Sequence, residues 1–145
     1  MPSLAELIPI LQLSIGPVIL ISGVGLLLLT LTNRFGRTID RARLLDHQLA
    51  EQPGAADAGR LRTQIAILMQ RAGILRVSIT LGAVTVLLAA VLMLMLFVAA
   101  WFRLELGWII AGIFCAALVC LIGAMLAFMG DMHLALAAIR LEVKE

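Results

Sequence analysis

Three uncharged apolar runs set the plan of the chain: roughly Pro9–Thr32, Val77–Phe102 and Trp108–Gly130. Each exceeds the ~20 helical residues that cross a hydrocarbon core, so the pattern predicts three membrane-spanning helices. Between the first and second runs the pattern changes. Phe35, Thr38, Ala42, Leu45 and Leu49 recur by threes and fours, as do Leu61, Ile65, Leu68, Ala72 and Leu75. Both are stripes of amphipathic helix. Glu51–Gly59, with Pro53-Gly54 inside it, carries turn residues. Folding the chain about residue 55 sets Leu49 opposite Leu61, Leu45 opposite Ile65, Ala42 opposite Leu68 and Phe35 opposite Leu75. Asn33 then meets Val77, so both membrane boundaries fall at one level. An antiparallel hairpin over 34–76 is expected, each arm reaching about 25 Å at 1.5 Å per residue. Arg37, Asp40, Arg43 and Asp46 alternate in sign at three-residue spacing, as a continuous helix would place them.

Smaller signals refine the ends. Ser3 and Glu6 form a capping-box pair, Pro9 suits the first turn of the span, and residues 131–145 continue helically with Met132, Leu136, Ile139 and Val143 on one face. Pro17 falls inside the first span, where it frees the Leu13 carbonyl and should bend the helix, with Ser14 and Gly16 beside it. The expected fold is all-α: three transmembrane helices, the first and second extended into a cytoplasmic antiparallel hairpin. The whole forms a single membrane domain with spans at 9–32, 77–102 and 108–130.

Charge adds direction. Of 11 Lys and Arg, Arg34, Arg37, Arg41, Arg43, Arg60, Arg62, Arg71 and Arg76 lie between the first two runs, Arg140 and Lys144 follow the third, and Arg103 alone separates the second from the third. Basic residues beside span ends mark the cytoplasmic side, which puts the N-terminus outside and the C-terminus within. With no Lys or Arg before Arg34, the first run lacks the basic start of a cleavable signal and is expected to be retained. Trp101 and Trp108 suit an outer interface. At 145 residues and 63% hydrophobic, the chain has no room for a separate soluble catalytic domain.

The segments Gln12-Leu13-Ser14-Ile15-Gly16-Pro17, Asn33-Arg34-Phe35-Gly36-Arg37 and Asp40-Arg41-Ala42-Arg43, with the Arg71 to Arg76 approach to the second run, resemble the bacterial membrane family DUF2721. The resemblance covers most of the chain. It implies a bacterial inner-membrane location and the three-span layout, and it supplies no activity and no functional residue.

Candidate chemistry is sparse. Gln12, Gly16, Gly23, Thr30, Arg34, Arg37 and Arg41 fall within about 60° of azimuth on the first helix. Around an oligomer axis this stripe would line a pore with an arginine mouth; as a helix contact, its glycines would let backbones approach. Small-residue stripes on the other spans, Ser78, Gly82, Thr85, Ala89 and Gly112, Ala116, Gly123, Ala127, Gly130, favour packing as the common cause. Arg34, Arg37, Arg41, Arg71 and Arg76 lie near the inner surface, where each contributes about 1 kcal/mol toward anionic lipid headgroups. Four acids (Asp40, Asp46, Glu51, Asp57) dilute the loop and argue against nucleic acid. Cys115 and Cys120 stand about 140° apart on one helix and cannot pair or share a metal, so they read as packing residues. His47 and His133 lack ligands at metal spacing. No metal site, cofactor or catalytic group is expected, and the chain does not read as an enzyme. The leading expectation is a homo-oligomeric scaffold whose basic hairpin meets a cytoplasmic protein; the alternative is an oligomeric channel lined by the first helix.

Overall fold

The computed structural model describes residues 4–51, 57–103 and 105–142, with side chains over 8–9, 11–51, 57–103 and 105–136. The described residues form α1 (Leu4–Glu51), α2 (Ala58–Phe102) and α3 (Gly107–Glu142). All three are long and apolar enough to cross a membrane, and at most 17% of each one's most apolar stretch is buried within the chain. Large side chains such as Leu13, Ile19, Leu26, Leu87, Leu94, Val119 and Leu126 face outward. In water that surface would be untenable; against lipid tails it is the expected one.

One sequence expectation about prolines changes: α1 begins at Leu4, so Pro9 is not in its first turn. α1 is continuous through both Pro9 and Pro17 to Glu51. A proline this close to a helix start removes one backbone bond near a frayed end, a loss the following turns outweigh. Pro17 and Ser14 are both buried. Ser3 and most of the expected turn, Gln52–Ala56, lie outside the described residues; α2 is entered through a bond from Leu61 N–H to the Asp57 carbonyl, 3.0 Å. Between α2 and α3, Arg103 takes a left-handed φ of 51° that ends α2.

Burial along each helix repeats by threes and fours. On α1, positions 14, 17, 21, 24, 28, 31, 35, 38, 42, 45 and 49 are buried or half-buried; on α3, positions 110, 113, 117, 120, 124, 127, 131 and 134 are. This seven-residue repeat is the seam of helices packed by knobs into holes. All ten residues of the two predicted stripes between the first and second runs are buried or half-buried.

The chain divides into two compact units, each built from all three helices. The first takes α1 up to Leu28, α2 from Thr80 and α3 up to Gly123. Its seam is small and apolar. Thr85 bonds back to the Leu81 carbonyl at 2.9 Å and reaches the Ala117 carbonyl of α3 at 3.4 Å. A Cβ added at Gly82 would sit 2.9 Å from Leu28 Cδ2, so glycine there admits the α1 leucine, and Gly123 meets Leu81 similarly at 3.1 Å. Leu28 against Gly82 is also the register that folding about residue 55 requires.

The second unit takes Leu29–Ile79 of α1 and α2 with α3 from Ala124. Leu31, Leu75 and Ala124 are fully buried, with Ala42 and Ala72 at 5% exposure. Ser78 Oγ donates to the Ala124 carbonyl at 2.7 Å, tying α2 to α3. No described buried side-chain nitrogen or oxygen lacks a hydrogen-bond partner.

Candidate functional site: an aspartate held by two arginines

Asp131 is the only Asp, Glu, Lys or Arg in the apolar stretch Gly107–Leu136, and the structure buries it completely. An ionised carboxylate out of water needs partners for both oxygens. α1 and α2 supply one each. Arg34 Nη2 donates to Asp131 Oδ2 at 2.9 Å, and Arg71 Nε donates to Oδ1 at 3.0 Å. The arginine side chains are 25% and 18% exposed, so the pairs are partly screened at the arginine end and dry at the carboxylate. Three residues before Asp131, on the same face of α3, the Phe128 ring lies 5.4 Å from Arg34 Cζ. Arg34 is therefore bound by carboxylate and aromatic ring together, the second worth about 0.5–2 kcal/mol by its burial.

Register puts these groups together. Arg71 meets Asp131 and, seven residues further along α2, Ser78 meets Ala124, seven residues back along α3. Descending pairs are the signature of antiparallel helices in this unit. Thr85 and Ala117, bonded within the first unit, fall another seven residues along each helix. Three interhelical bonds thus share one heptad position per helix.

Beside the carboxylate lies a cleft of about 280 Å3 lined by Arg34, Arg37, Thr38, Arg41, Leu68 and Arg71. Thr38 is buried and its hydroxyl bonds to the Arg34 carbonyl one turn back, 2.9 Å. Arg37 is exposed and Nε donates to the Asn33 carbonyl at 3.4 Å. Arg41 is exposed, and no ion pair links Arg37, Asp40, Arg43 and Asp46 among the described residues despite their alternation.

The stripe read on the first helix does not stay on one surface. Gln12, Gly16, Gly23 and Thr30 are exposed, and among the described residues no other helix comes within 4 Å of a Cβ built on Gly16 or Gly23. Arg34, in line with them, is half-buried. The cause is geometric: a seam repeating every seven residues drifts about 20° per heptad against a straight helical row. Far from the row at Ser14 and Pro17, the seam has closed on it by Leu31 and Thr38. On α2 the row Ser78, Gly82, Thr85, Ala89 is wholly buried, whereas on α3 Gly112 and Ala116 are exposed and Ala117 and Ala124 take the seam. Arg76 lies exposed on α2. Cys115 is exposed, correcting its reading as a packing residue, while Cys120 is half-buried. Met132 and Leu136 are exposed; Ile139 and Val143 have no described side chains.

Neither Asp131 nor Phe128 stands out in the sequence: Asp131 falls just past the apolar run that ends at Gly130, and Phe128 is one apolar residue among many within it. Among the described residues no three His, Cys, Asp or Glu side chains cluster. What the site offers chemically is a set of positioned guanidinium groups around one neutralising carboxylate.

Three helices of membrane-spanning length, packed along small-residue seams and joined by a buried ion cluster, define a multi-pass helical membrane protein. The family described as "Protein of unknown function (DUF2721)" matches residues 14–141, most of the chain, and the chain belongs to that family. No curated protein and no solved structure matches it.

Proposed function

We propose that the protein is a multi-pass inner-membrane scaffold that holds a basic helical hairpin, residues 34–76, in the cytoplasm for a partner protein. The N-terminus is outside and the C-terminus is cytoplasmic. The observation that carries this reading is the double ion pair on Asp131. It fastens one residue from each arm of the hairpin segment to the third helix, in the first turns beyond the apolar runs. A hairpin that only fixed topology would need arginines there, and it would not need them locked. Its distal surface, with Arg43, Leu44, Arg60, Arg62 and Met69 exposed, is left for contact. Headgroups of anionic lipid around Arg37, Arg41 and Arg76 add an electrostatic anchor. The protein acts through binding and carries no catalysis.

Homo-oligomerisation completes the scaffold. Support comes from the exposed face of Gln12, Gly16, Gly23 and Thr30, whose glycines have no other helix within 4 Å among the described residues. Helices in lipid bury such faces against other helices. The same exposed face supports a second reading, in which several copies surround a conducting lumen. Native mass spectrometry in mild detergent tests both: a lone monomer removes the oligomer and the channel together. Deleting Arg43–Gln70 keeps Arg34, Arg71 and Asp131 and should leave the oligomer intact while abolishing capture of a cytoplasmic partner. An unchanged partner set would refute the scaffold. Anion leakage from liposomes, altered by Arg37→Glu, would establish the channel instead.

A further inference from the structure

We propose that the cleft beside Asp131 is a binding site for one phosphate ester per chain. This deepens the reading of these arginines as headgroup contacts, replacing diffuse attraction with a built, saturable pocket.

The charge in the cleft is unbalanced. Four arginines line it, and among the described residues the one carboxylate paired with any of them is Asp131. Each guanidinium carries five N–H donors in a planar fork. The bonds to Asp131 engage one nitrogen of Arg34 and one of Arg71, and both side chains still line the cleft. The carboxylate therefore does for these two arginines what a supporting shell does for ligand-binding groups: it fixes their planes before any ligand arrives. Phe128 holds Arg34 from a second side. From α1, Arg34, Arg37 and Arg41 share one helix face at spacings of three and four, and Arg71 approaches from α2. The Thr38 hydroxyl adds a short polar group between them.

Donors arriving from two helices suit a tetrahedral anion with several oxygens better than a planar carboxylate, which takes one fork. The planar position is already occupied by Asp131. Arginine forks on a phosphate form the strong, charge-assisted class of hydrogen bond. Leu68 supplies an apolar wall for the esterified carbon, and 280 Å3 approaches the ~300 Å3 lower range of ligand pockets, enough for a phosphate with its alcohol. The cleft begins two residues past the first apolar run and ends six before the second. A phospholipid headgroup and a soluble phosphate ester share the required chemistry.

The test uses the full chain purified in non-ionic detergent, with phosphatidylglycerol as one probe and glycerol 3-phosphate as the other. Native mass spectrometry over a salt series should find one phosphatidylglycerol per chain retained after other lipids are stripped. Arg37→Gln with Arg41→Gln leaves the Asp131 bonds untouched and should lower that retention at least tenfold, with the lipid-free unfolding midpoint unchanged. Arg43→Gln with Arg60→Gln removes the same charge outside the cleft and should have no effect. Displacement of the lipid by millimolar glycerol 3-phosphate assigns a soluble ester as a ligand; failure to displace assigns the headgroup. Equal losses in the two double variants would overturn the pocket and leave only diffuse attraction. No retained lipid and no bound glycerol 3-phosphate would overturn both.

Discussion

The two units use the same three helices and bind them by opposite means. In the first, helices touch through what is missing: glycine at 82 lets Leu28 in, and the Thr85 hydroxyl is divided between the Leu81 carbonyl of its own helix and the Ala117 carbonyl of α3. In the second, they are joined by a full negative charge between two positive ones, with a serine to carbonyl bond beside it. Each solution suits its surroundings. Small-residue contacts bury no charge, so they serve where the flanking surface is mostly apolar. An ion cluster is tolerable where arginine stems can keep one side wet, and Arg34 and Arg71 retain that exposure. What the pairing gains is selectivity of register: a seven-residue slip of α3 sets either Ala117 or Asp131 against Ser78, and in both cases Asp131 leaves Arg71.

Substitutions can break this contrast at graded strengths. Asp131→Ala has the largest expected effect, about 3–5 kcal/mol, because it leaves two partly buried arginines facing each other without their counter-ion. Reversible unfolding in mixed micelles measures it. Arg34→Gln or Arg71→Gln should cost less, about 1–3 kcal/mol, since Asp131 keeps its other partner. Gly82→Leu probes the first unit and should cost about 1–3 kcal/mol by forcing Leu28 aside, read as a lowered midpoint in the same assay. Ser78→Ala should cost about 0.6 kcal/mol, the usual worth of one interhelical hydrogen bond in a membrane protein, with the Ala124 carbonyl remaining in its own helix. Smallest of all, Gly16→Ala should leave monomer stability within about 0.5 kcal/mol, as nothing packs there. A larger loss that disappears on dilution would place that face in an oligomer contact.

Periodicity made much of the fold legible. The three runs became three helices, and Phe35, Ala42, Leu68 and Leu75 took the packed positions that their spacing assigns. The site was less legible, for two physical reasons. A straight row at 100° per residue cannot be followed for thirty residues beside a seam that repeats every seven, so Gln12 and Arg34 share a row although only Arg34 turns inward. And Asp131 follows so soon after an apolar run that hydropathy alone closes the span before it. A signal was present: a lone acid in a thirty-residue apolar stretch demands a partner. Arg71, Ser78 and Thr85 also echo the seven-residue spacing of Asp131, Ala124 and Ala117. Neither cue needs homologues. Both need the third helix to be read against the second, and not by itself.

Asp131 is the shared anchor of α1 and α2, and a double-mutant cycle interrogates that role directly. Unfolding free energies for Arg71→Gln, Asp131→Asn and the pair should give a coupling of at least about 1 kcal/mol, while the same cycle on Arg60 with Asp131 should be additive within about 0.5 kcal/mol. Additivity in the Arg71 cycle would mean that the two side chains do not meet, and the ion cluster would have to be abandoned.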